Sequence, residues 1–134
     1  MIKNAVTSGK RKSAVARAII KKGNGSVTLN KIPIDQWSPS LNRGRIREPL
    51  ILAGDIVEGV DIDVQVSGGG ITSQADACRL AIAKALVAFT KSDKLKDKFL
   101  KYDRQLLVAD VRRKEPAKPN RHGQARAKRQ KSYR

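Results

Sequence analysis

The stretch VDIDVQVSGGGITSQADACRLAIAKALVAFT, residues 60–90, decides the fold class because it joins a strand to a helix across a glycine turn. Apolar and polar residues alternate over residues 60–67, which is typical of a strand with one buried face. After the turn, apolar residues recur at helical spacing, and Ser73 and Asp76 form a Ser-x-x-Asp capping pattern at the start of the predicted helix. One helical face is then formed by Cys78, Ile82, Ala85, Leu86 and Phe89.

The sequence before this stretch predicts more of the sheet. Residues 2–7 and 13–21 are rich in small and β-branched residues, and residues 26–30 follow the turn sequence KGNG. These features predict three short strands that form an antiparallel sheet of two hairpins. Residues 32–40 contain two prolines and predict an irregular connection, while residues 45–54 predict a short helix or loop.

The sequence after residue 90 predicts a second helix and one more strand. Residues 92–102 have helical spacing, and LLVADV at 106–111 predicts a last strand that pairs into the sheet. The expected fold class is therefore α+β, a two-layer sandwich in which helices cover one face of a four- to five-stranded sheet. Apolar residues almost vanish after Val111, so we expect a globular domain over residues 1–111 and an extended basic tail over residues 112–134.

The charge of the chain indicates an anionic partner. The formal net charge is +17, and residues 112–134 alone hold ten Lys or Arg against one Glu. A block of like charge is commonly an interaction arm. The sequence contains one cysteine and one histidine, which cannot make an internal disulfide or a zinc site, and we expect no metal and no cofactor. The absence of a signal-peptide core in the first ten residues and of a long apolar run predicts a cytoplasmic protein without a membrane partner.

Three short motifs are candidates for phosphate contact. A cluster near the start comprises Lys10, Arg11, Lys12 and Arg17. The glycine turn could present its backbone amides to phosphate through Gly68, Gly69, Gly70 and Ser73, or it could simply be a turn that needs positive φ. The third motif would direct three guanidinium groups to one side if it were extended, and it comprises Arg43, Arg45 and Arg47.

Two other features have ordinary structural interpretations. Asp61 and Asp63 point the same way from one predicted strand, and we expect a solvated strand face rather than a cation site. Cys78 lies on the apolar face of the predicted helix, where a thiol acts as a small hydrophobic group. Neither feature has a partner in the sequence for general acid–base or nucleophilic catalysis, so we expect no enzyme activity and no small-molecule substrate.

The chain resembles the universal small-subunit ribosomal protein nine family, in its archaeal and eukaryotic branch. The resemblance is carried by SGKRKSAVAR (8–17), GGGITSQADACRLAIAKAL (68–86) and YDRQLLVADVRRKEPAKPNRHGQARAKRQKSYR (102–134). It implies a left-handed βαβ crossover and a place in the head of the small subunit, with rRNA and neighbouring head proteins as partners. The rRNA-binding residues expected in the tail are Arg112, Arg113, Lys114, Lys118, Arg121, His122, Arg126, Lys128 and Arg129.

The resemblance also implies that the end of the tail reaches the anticodon stem-loop of the peptidyl-site tRNA. The residues expected to make this contact are Lys131, Tyr133 and Arg134. Bacterial members of the family end in Ser-Lys-Arg, whereas this chain ends in Lys-Ser-Tyr-Arg. The terminal arginine is therefore matched, while a tyrosine that could stack or donate a hydrogen bond replaces the penultimate lysine.

Two other functions fit parts of the pattern. A small-molecule kinase could use the glycine turn for ATP, but it would need a carboxylate for magnesium near that turn. A free nucleic-acid chaperone or chromatin-like protein would have the same charge and would bind DNA and RNA with comparable affinity.

Overall fold

A computed structural model describes residues 4–37, 40–113 and 116–119 of the chain. Within these ranges the strands are β1 (Asn4–Arg11), β2 (Ala14–Lys22), β3 (Val27–Leu29), β4 (Ile32–Pro33) and β5 (Val60–Ser67). The α-helices are α1 (Ser40–Ala53), α2 (Ile71–Thr90) and α3 (Asp93–Tyr102). Short 3-10 helices cover Ile34–Gln36, Gly54–Gly59 and Arg104–Leu106.

The five strands form one mixed sheet in the order β1-β2-β5-β3-β4. β1 and β2 form the predicted hairpin, and β5 pairs antiparallel with β2 and parallel with β3. The prediction of an antiparallel sheet of two hairpins is therefore wrong, because β5 lies between β2 and β3. The KGNG turn instead binds the start of β5: Gly23 N donates to Gly59 O at 3.0 Å and Gly25 N donates to Val60 O at 3.0 Å.

The parallel pair of β3 and β5 is joined by a crossover that contains α1. This connection is the βαβ unit that the family resemblance implies, and its left hand stays a prediction. α1 is longer than the short helix or loop expected at residues 45–54, since it begins at Ser40 and continues through Pro49.

The predicted last strand at residues 106–111 is wrong. Asp103 ends α3 and its side chain accepts a hydrogen bond from Gln105 N at 2.9 Å, which starts a 3-10 turn instead of a strand. Leu106 is fully buried at the end of that turn. The fifth strand of the sheet is the two-residue β4, which lies in the stretch predicted to be an irregular connection.

The core lies between the sheet and the helices, as the strand alternation predicts. The buried side chains of β2 are Ala14, Ala16, Ala18 and Ile20, and those of β5 are Val60, Ile62, Val64 and Val66. α2 packs directly on β1, β2 and β5, and α1 and α3 pack against α2. The α+β class with helices on one face of a five-stranded sheet is confirmed.

Small residues allow β1 to lie against the backbone of α2. A Cβ at Gly9 would collide with Ala77 O and would lie 2.9 Å from Ala81 N. On the same strand, the Thr7 hydroxyl donates to Ala81 O at 2.8 Å. This close approach fixes the hairpin relative to the N-terminal half of α2, where the candidate site is found. No helix in the described part of the chain is long and apolar enough to cross a membrane.

Candidate nucleic-acid interface

The β1–β2 hairpin and the glycine turn meet at one end of the molecule. Only Lys12 and Ser13 connect the two strands, and Lys12 adopts a positive φ of 52°. A Cβ on Gly68 would lie 2.5 Å from Ser13 O, and one on Gly69 would lie 3.0 Å from Ala14 N. Both glycines also have positive φ, 79° and 64°. They are therefore required for the turn and for its packing on the hairpin, which is the simpler of the two interpretations given above.

Helix α2 begins directly after this turn. Gly70 is its N-cap, and no side chain caps it, so the predicted capping by Ser73 and Asp76 is wrong. Ser73 instead lies inside the first turn of the helix. The first free amides of a helix carry partial positive charge and can bind an anion. Nothing lies within 4 Å of a Cβ built on Gly70, so this part of the predicted phosphate turn is open.

The segment after the last 3-10 helix returns to the same end. Asp110 accepts hydrogen bonds from Arg112 Nε at 3.0 Å and from Arg112 Nη2 at 2.7 Å, and it forms an ion pair with Arg11. Arg113 Nη1 donates to Asp110 O at 3.1 Å. These contacts place Arg112 and Arg113 beside the hairpin. The concave surface there has a volume of about 600 Å³ and is lined by Arg11, Lys12, Ser13, Arg112 and Arg113.

Three segments that are distant in sequence thus form one cationic surface, which we call the basic end. It comprises the exposed side chains of Lys10, Lys12, Arg112 and Arg113 together with Gly70 and the first turn of α2. Two acids lie beside it, Asp110 and Asp76, whose side chains are 11% and 28% exposed. The pKa of Asp110 is held well below its ordinary value by hydrogen bonds from the side chain and the backbone amide of Arg112. Arg11 lowers this pKa further. Asp110 is therefore ionised and already paired at neutral pH.

The predicted cluster of Lys10, Arg11, Lys12 and Arg17 divides into three parts. Lys10 and Lys12 are exposed at the basic end, and Arg17 is exposed on the sheet face away from the helices. Arg11 points to the helical side, where it pairs with Asp110 and lies 3.8 Å from Asp76 Oδ2. Its charge is balanced within the protein, and it positions the C-terminal segment.

The arginines of α1 do not form the extended row that the sequence suggested. They lie on a helix and have three different partner groups. Arg43 Nη1 donates to Asp35 O at 2.5 Å, Arg45 Nη1 lies 3.2 Å from Asp76 Oδ1, and Arg47 pairs with the Asp35 carboxylate. The side chains of Arg45 and Arg47 are still 42% and 40% exposed, so their outer surfaces remain accessible.

A second ion-pair group has no signature in the sequence. Arg79 on α2 donates through Nε to Glu48 Oε2 at 2.8 Å and through Nη2 to Asp103 Oδ2 at 3.0 Å. It thereby connects α2 with α1 and with the end of α3. The partners are separated by 31 and 24 residues, so no local pattern indicates this contact.

The two acidic residues of β5 accept hydrogen bonds from the β2–β3 turn and from β3. Asp61 Oδ1 accepts from Asn24 N at 2.9 Å and from Ser26 N at 3.1 Å, and Asp63 Oδ1 accepts from Thr28 Oγ1 at 3.1 Å. The backbone hydrogen bonds from Ser26 and Asn24 lower the pKa of Asp61. In the described ranges, no group of three His, Cys, Asp or Glu side chains could hold a metal ion. Burial raises the pKa of Cys78 to about 12, in keeping with a core residue.

Several predicted contact residues remain outside the described ranges. Lys118 is described and exposed. The residues predicted to contact rRNA or tRNA that lie outside the described ranges are Lys114, Arg121, His122, Arg126, Lys128, Arg129, Lys131, Tyr133 and Arg134.

Comparison with known proteins points to one family. The family model described as ribosomal protein S9/S16 matches residues 9–134. A protein of Methanococcus maripaludis strain C7, named small ribosomal subunit protein uS9, is 51% identical over 129 residues, which is 96% of each chain. Proteins of the same name from strains C5 and S2 are also 51% identical over 96% of each chain.

Proposed function

The chain belongs to the ribosomal protein S9/S16 family, and from that premise we propose that it binds small-subunit rRNA with its basic end and reaches the peptidyl-site tRNA with its C-terminal residues. It is a structural constituent of the small ribosomal subunit, and its family is not enzymatic. Its place of action is the ribosome of the cytoplasm, among the neighbouring proteins of the subunit head.

The observation that carries the rRNA proposal is the convergence of three segments at the basic end. Lys10 and Lys12 come from the hairpin, Arg112 and Arg113 from the C-terminal segment, and the amides of the first turn from α2. Cations and helix N-terminal amides are the groups that contact phosphate oxygens, and such contacts fix the orientation of a protein on RNA. The Asp110 carboxylate pairs with Arg112, and the Asp110 backbone carbonyl accepts a hydrogen bond from Arg113, so both arginines are held in this arrangement before RNA is bound.

Distance supports the tRNA proposal. Extended chain covers about 3.3 Å per residue, so the 23 residues from Arg112 to Arg134 could span roughly 75 Å. A cationic end on such a segment could meet a phosphate that the domain cannot approach. In this proposal the middle of the segment, Arg121 to Arg129, anchors the protein in rRNA, while Lys131, Tyr133 and Arg134 contact the tRNA.

The kinase alternative is disfavoured by the packing of the glycine turn. The space beside Gly68 and Gly69 is filled by backbone atoms of Ser13 and Ala14, so these glycines do not leave an open cradle for a nucleotide. Two carboxylates at this end of the described chain, Asp76 and Asp110, are paired with arginines. Neither is left to hold magnesium.

A matched pair of variants tests the rRNA proposal. The first replaces Lys10, Lys12, Arg112 and Arg113 with Gln, and the control replaces four exposed lysines of α3 with Gln, namely Lys94, Lys96, Lys98 and Lys101. Both remove four charges. Binding to a transcript of Methanococcus maripaludis small-subunit rRNA is measured at several salt concentrations.

The slope of the logarithm of the binding constant against the logarithm of salt concentration reports the number of phosphate contacts. We expect this log–log salt slope to fall in magnitude by about 0.7–0.9 for each phosphate contact that the basic-end variant loses, and to fall less in the control. Equal slopes for the two variants would contradict the assignment of the basic end. A protein that binds matched double-stranded DNA as well as it binds this rRNA would instead support the chaperone alternative.

A further inference from the structure

The sheet face opposite the helices is uncovered in the described part of the chain, and its two halves differ in charge. The half next to the hairpin tip, which we call the cationic half, carries exposed side chains from three strands and the β3–β4 turn. They are Ser8, Lys10, Val15, Arg17, Lys31, Gln65 and Ser67. All three charged groups in this set are cations.

The other half of the same face is mixed in charge. There Lys21 of β2 lies opposite Asp61 of β5, and Ile19 lies opposite Asp63. Both carboxylates already accept hydrogen bonds from the β2–β3 turn or from β3. An anionic ligand would be repelled by Asp61 and Asp63, whereas the described residues of the cationic half include no carboxylate.

The cationic half has a defined concave shape. A depression of about 480 Å³ is lined by Val15, Arg17, Asn30, Lys31, Gln65, Val66 and Ser67. Asn30 builds one wall: its Nδ2 donates to Val66 O at 3.1 Å and its Oδ1 accepts from Val66 N at 2.9 Å. Asn30 and Lys31 both have positive φ, 50° and 68°. The side-chain amide of Asn30 thus continues the β3–β5 pairing and holds Lys31 beside β5.

We infer that the cationic half is a second RNA-contact surface, continuous with the basic end, across which a ribose–phosphate backbone lies. The inference rests on the proposed rRNA function. The two surfaces are continuous because of the register between β1 and β2. Lys10 of the basic end pairs with Val15, and Ser8 pairs with Arg17. Arg17 can bind a phosphate through two N–H groups, and Lys31 offers a second cation on the other side of the depression.

Charge favours RNA over a protein as the occupant. The polar groups between the cations, Gln65, Ser67 and Ser8, can donate to phosphate or to a ribose hydroxyl. Aromatic side chains are absent from this face in the described strands, so the surface suits backbone contact rather than base stacking. Among the described residues of this half, Val15 is the one exposed apolar side chain, at 37%, which is a small hydrophobic area for a protein–protein contact.

An isosteric charge change tests the inference. Gln65→Glu puts a carboxylate opposite Arg17, and Gln36→Glu makes the same chemical change at an exposed position in the 3-10 helix Ile34–Gln36. Binding of the full chain to the Methanococcus maripaludis small-subunit rRNA transcript is compared at equal salt. We expect Gln65→Glu to weaken binding roughly five- to tenfold and Gln36→Glu to change it less than twofold. A second variant, Arg17→Gln, should reduce the log–log salt slope by about 0.7–0.9.

The outcomes separate this inference from the proposed function. If Gln65→Glu and Arg17→Gln bind rRNA as tightly as Gln36→Glu while the four-charge variant of the basic end binds weakly, the second surface is disproved and the proposed function stands. If the Gln65→Glu protein binds rRNA normally but fails to enter reconstituted subunits, the face contacts a protein and the inference is wrong. If the four-charge variant also binds like the unmodified protein, the rRNA proposal itself fails.

Discussion

The guanidinium of Arg11, at the end of β1, forms an ion pair with the carboxylate of Asp110, which follows the last helical turn of the described chain. Arg112 binds the same carboxylate, so one acid joins the hairpin to the segment that leads towards the C-terminus. Arg11 is in turn close to Asp76, which Arg45 contacts from α1. The position of residues 110–113 is therefore fixed by this chain of contacts from β1, α1 and α2.

Replacing Asp110 with Asn should loosen this segment without unfolding the domain. The amide cannot pair with both arginines, and Arg11 would lose its closest counter-charge. We expect hydrogen exchange of the amides in residues 108–113 to speed up several-fold, while exchange in β5 and α2 stays unchanged. Asp97→Asn, a change at an exposed position of α3, is the control. An unchanged exchange rate in residues 108–113 would show that the ion pair does not hold the segment.

The paired carboxylates predict a loss of stability in acid. Hydrogen bonds from Arg112 lower the pKa of Asp110, and backbone hydrogen bonds from Ser26 and Asn24 lower the pKa of Asp61, both from an ordinary value of 3.8. A lowered folded-state pKa contributes stability that is complete above the unfolded pKa and is lost as the pH falls towards the folded value. The unfolding temperature should therefore be level from pH 7 to about pH 5 and fall below about pH 4.

The same pH series on the Asp110→Asn protein isolates one of the two groups. This variant should show a shallower fall between pH 4 and pH 2, since Asp110 no longer contributes. Identical slopes for the variant and the unmodified protein would assign the acid sensitivity to other carboxylates.

Two glycine-to-alanine changes should have opposite effects on stability. Gly9→Ala places a methyl group against the backbone of Ala77 and Ala81, and we expect it to lower the free energy of unfolding by about 1–3 kcal/mol. Gly44→Ala lies in α1 with nothing within 4 Å of the new Cβ, and it should raise stability by roughly 0.5–1 kcal/mol. Urea unfolding of both variants measures the difference. A neutral Gly9→Ala would mean that β1 and α2 can separate at little cost.

Two truncations test the division of the C-terminal segment. Deleting residues 131–134 should leave incorporation into reconstituted small subunits intact and weaken tRNA binding at the peptidyl site. The loss should be on the order of 1 kcal/mol, because a terminal arginine also carries an α-carboxylate that a phosphate repels. Deleting residues 121–134 should reduce incorporation itself. If the four-residue deletion blocks incorporation, or if it leaves tRNA affinity unchanged, the assignment of separate anchoring and tRNA-contacting parts is wrong.

Local pattern predicted the elements of this fold better than their arrangement. The alternation in residues 60–67 and the helical spacing after residue 71 correspond to β5 and α2, because burial of one face determines both patterns. The place of β5 between β2 and β3 depends on pairing partners far apart in sequence, which no local pattern records. The false strand at residues 106–111 has the apolar content of a strand, but the capping of a turn by Asp103 decides its conformation.

The sequence was sufficient to predict which cations belong to the candidate site, but not how their side chains are arranged and paired. The sequence indicated that Lys10, Lys12, Arg112 and Arg113 are cations in turn or tail segments, which correctly selects exposed charge. It could not indicate that Arg11 is paired with Asp110, since the two residues meet only when the C-terminal segment returns to the hairpin. For the same reason, the three arginines of α1 appeared to be one row, although Arg43 and Arg47 contact Asp35 and Arg45 contacts Asp76 on α2.

The position of β5 has a consequence for synthesis of the chain. β3 and β4 cannot join β1 and β2 until residues 60–67 are available, because β5 is the strand that both pairs share. The buried faces of these strands also need α2, which ends at Thr90. A nascent chain of 59 residues therefore has four of the five described strands, as two separate pairs, and lacks the strand that joins those pairs in one sheet. Folding of the domain must wait for about two thirds of the chain, and until then the apolar residues of β2 stay exposed beside a high density of positive charge.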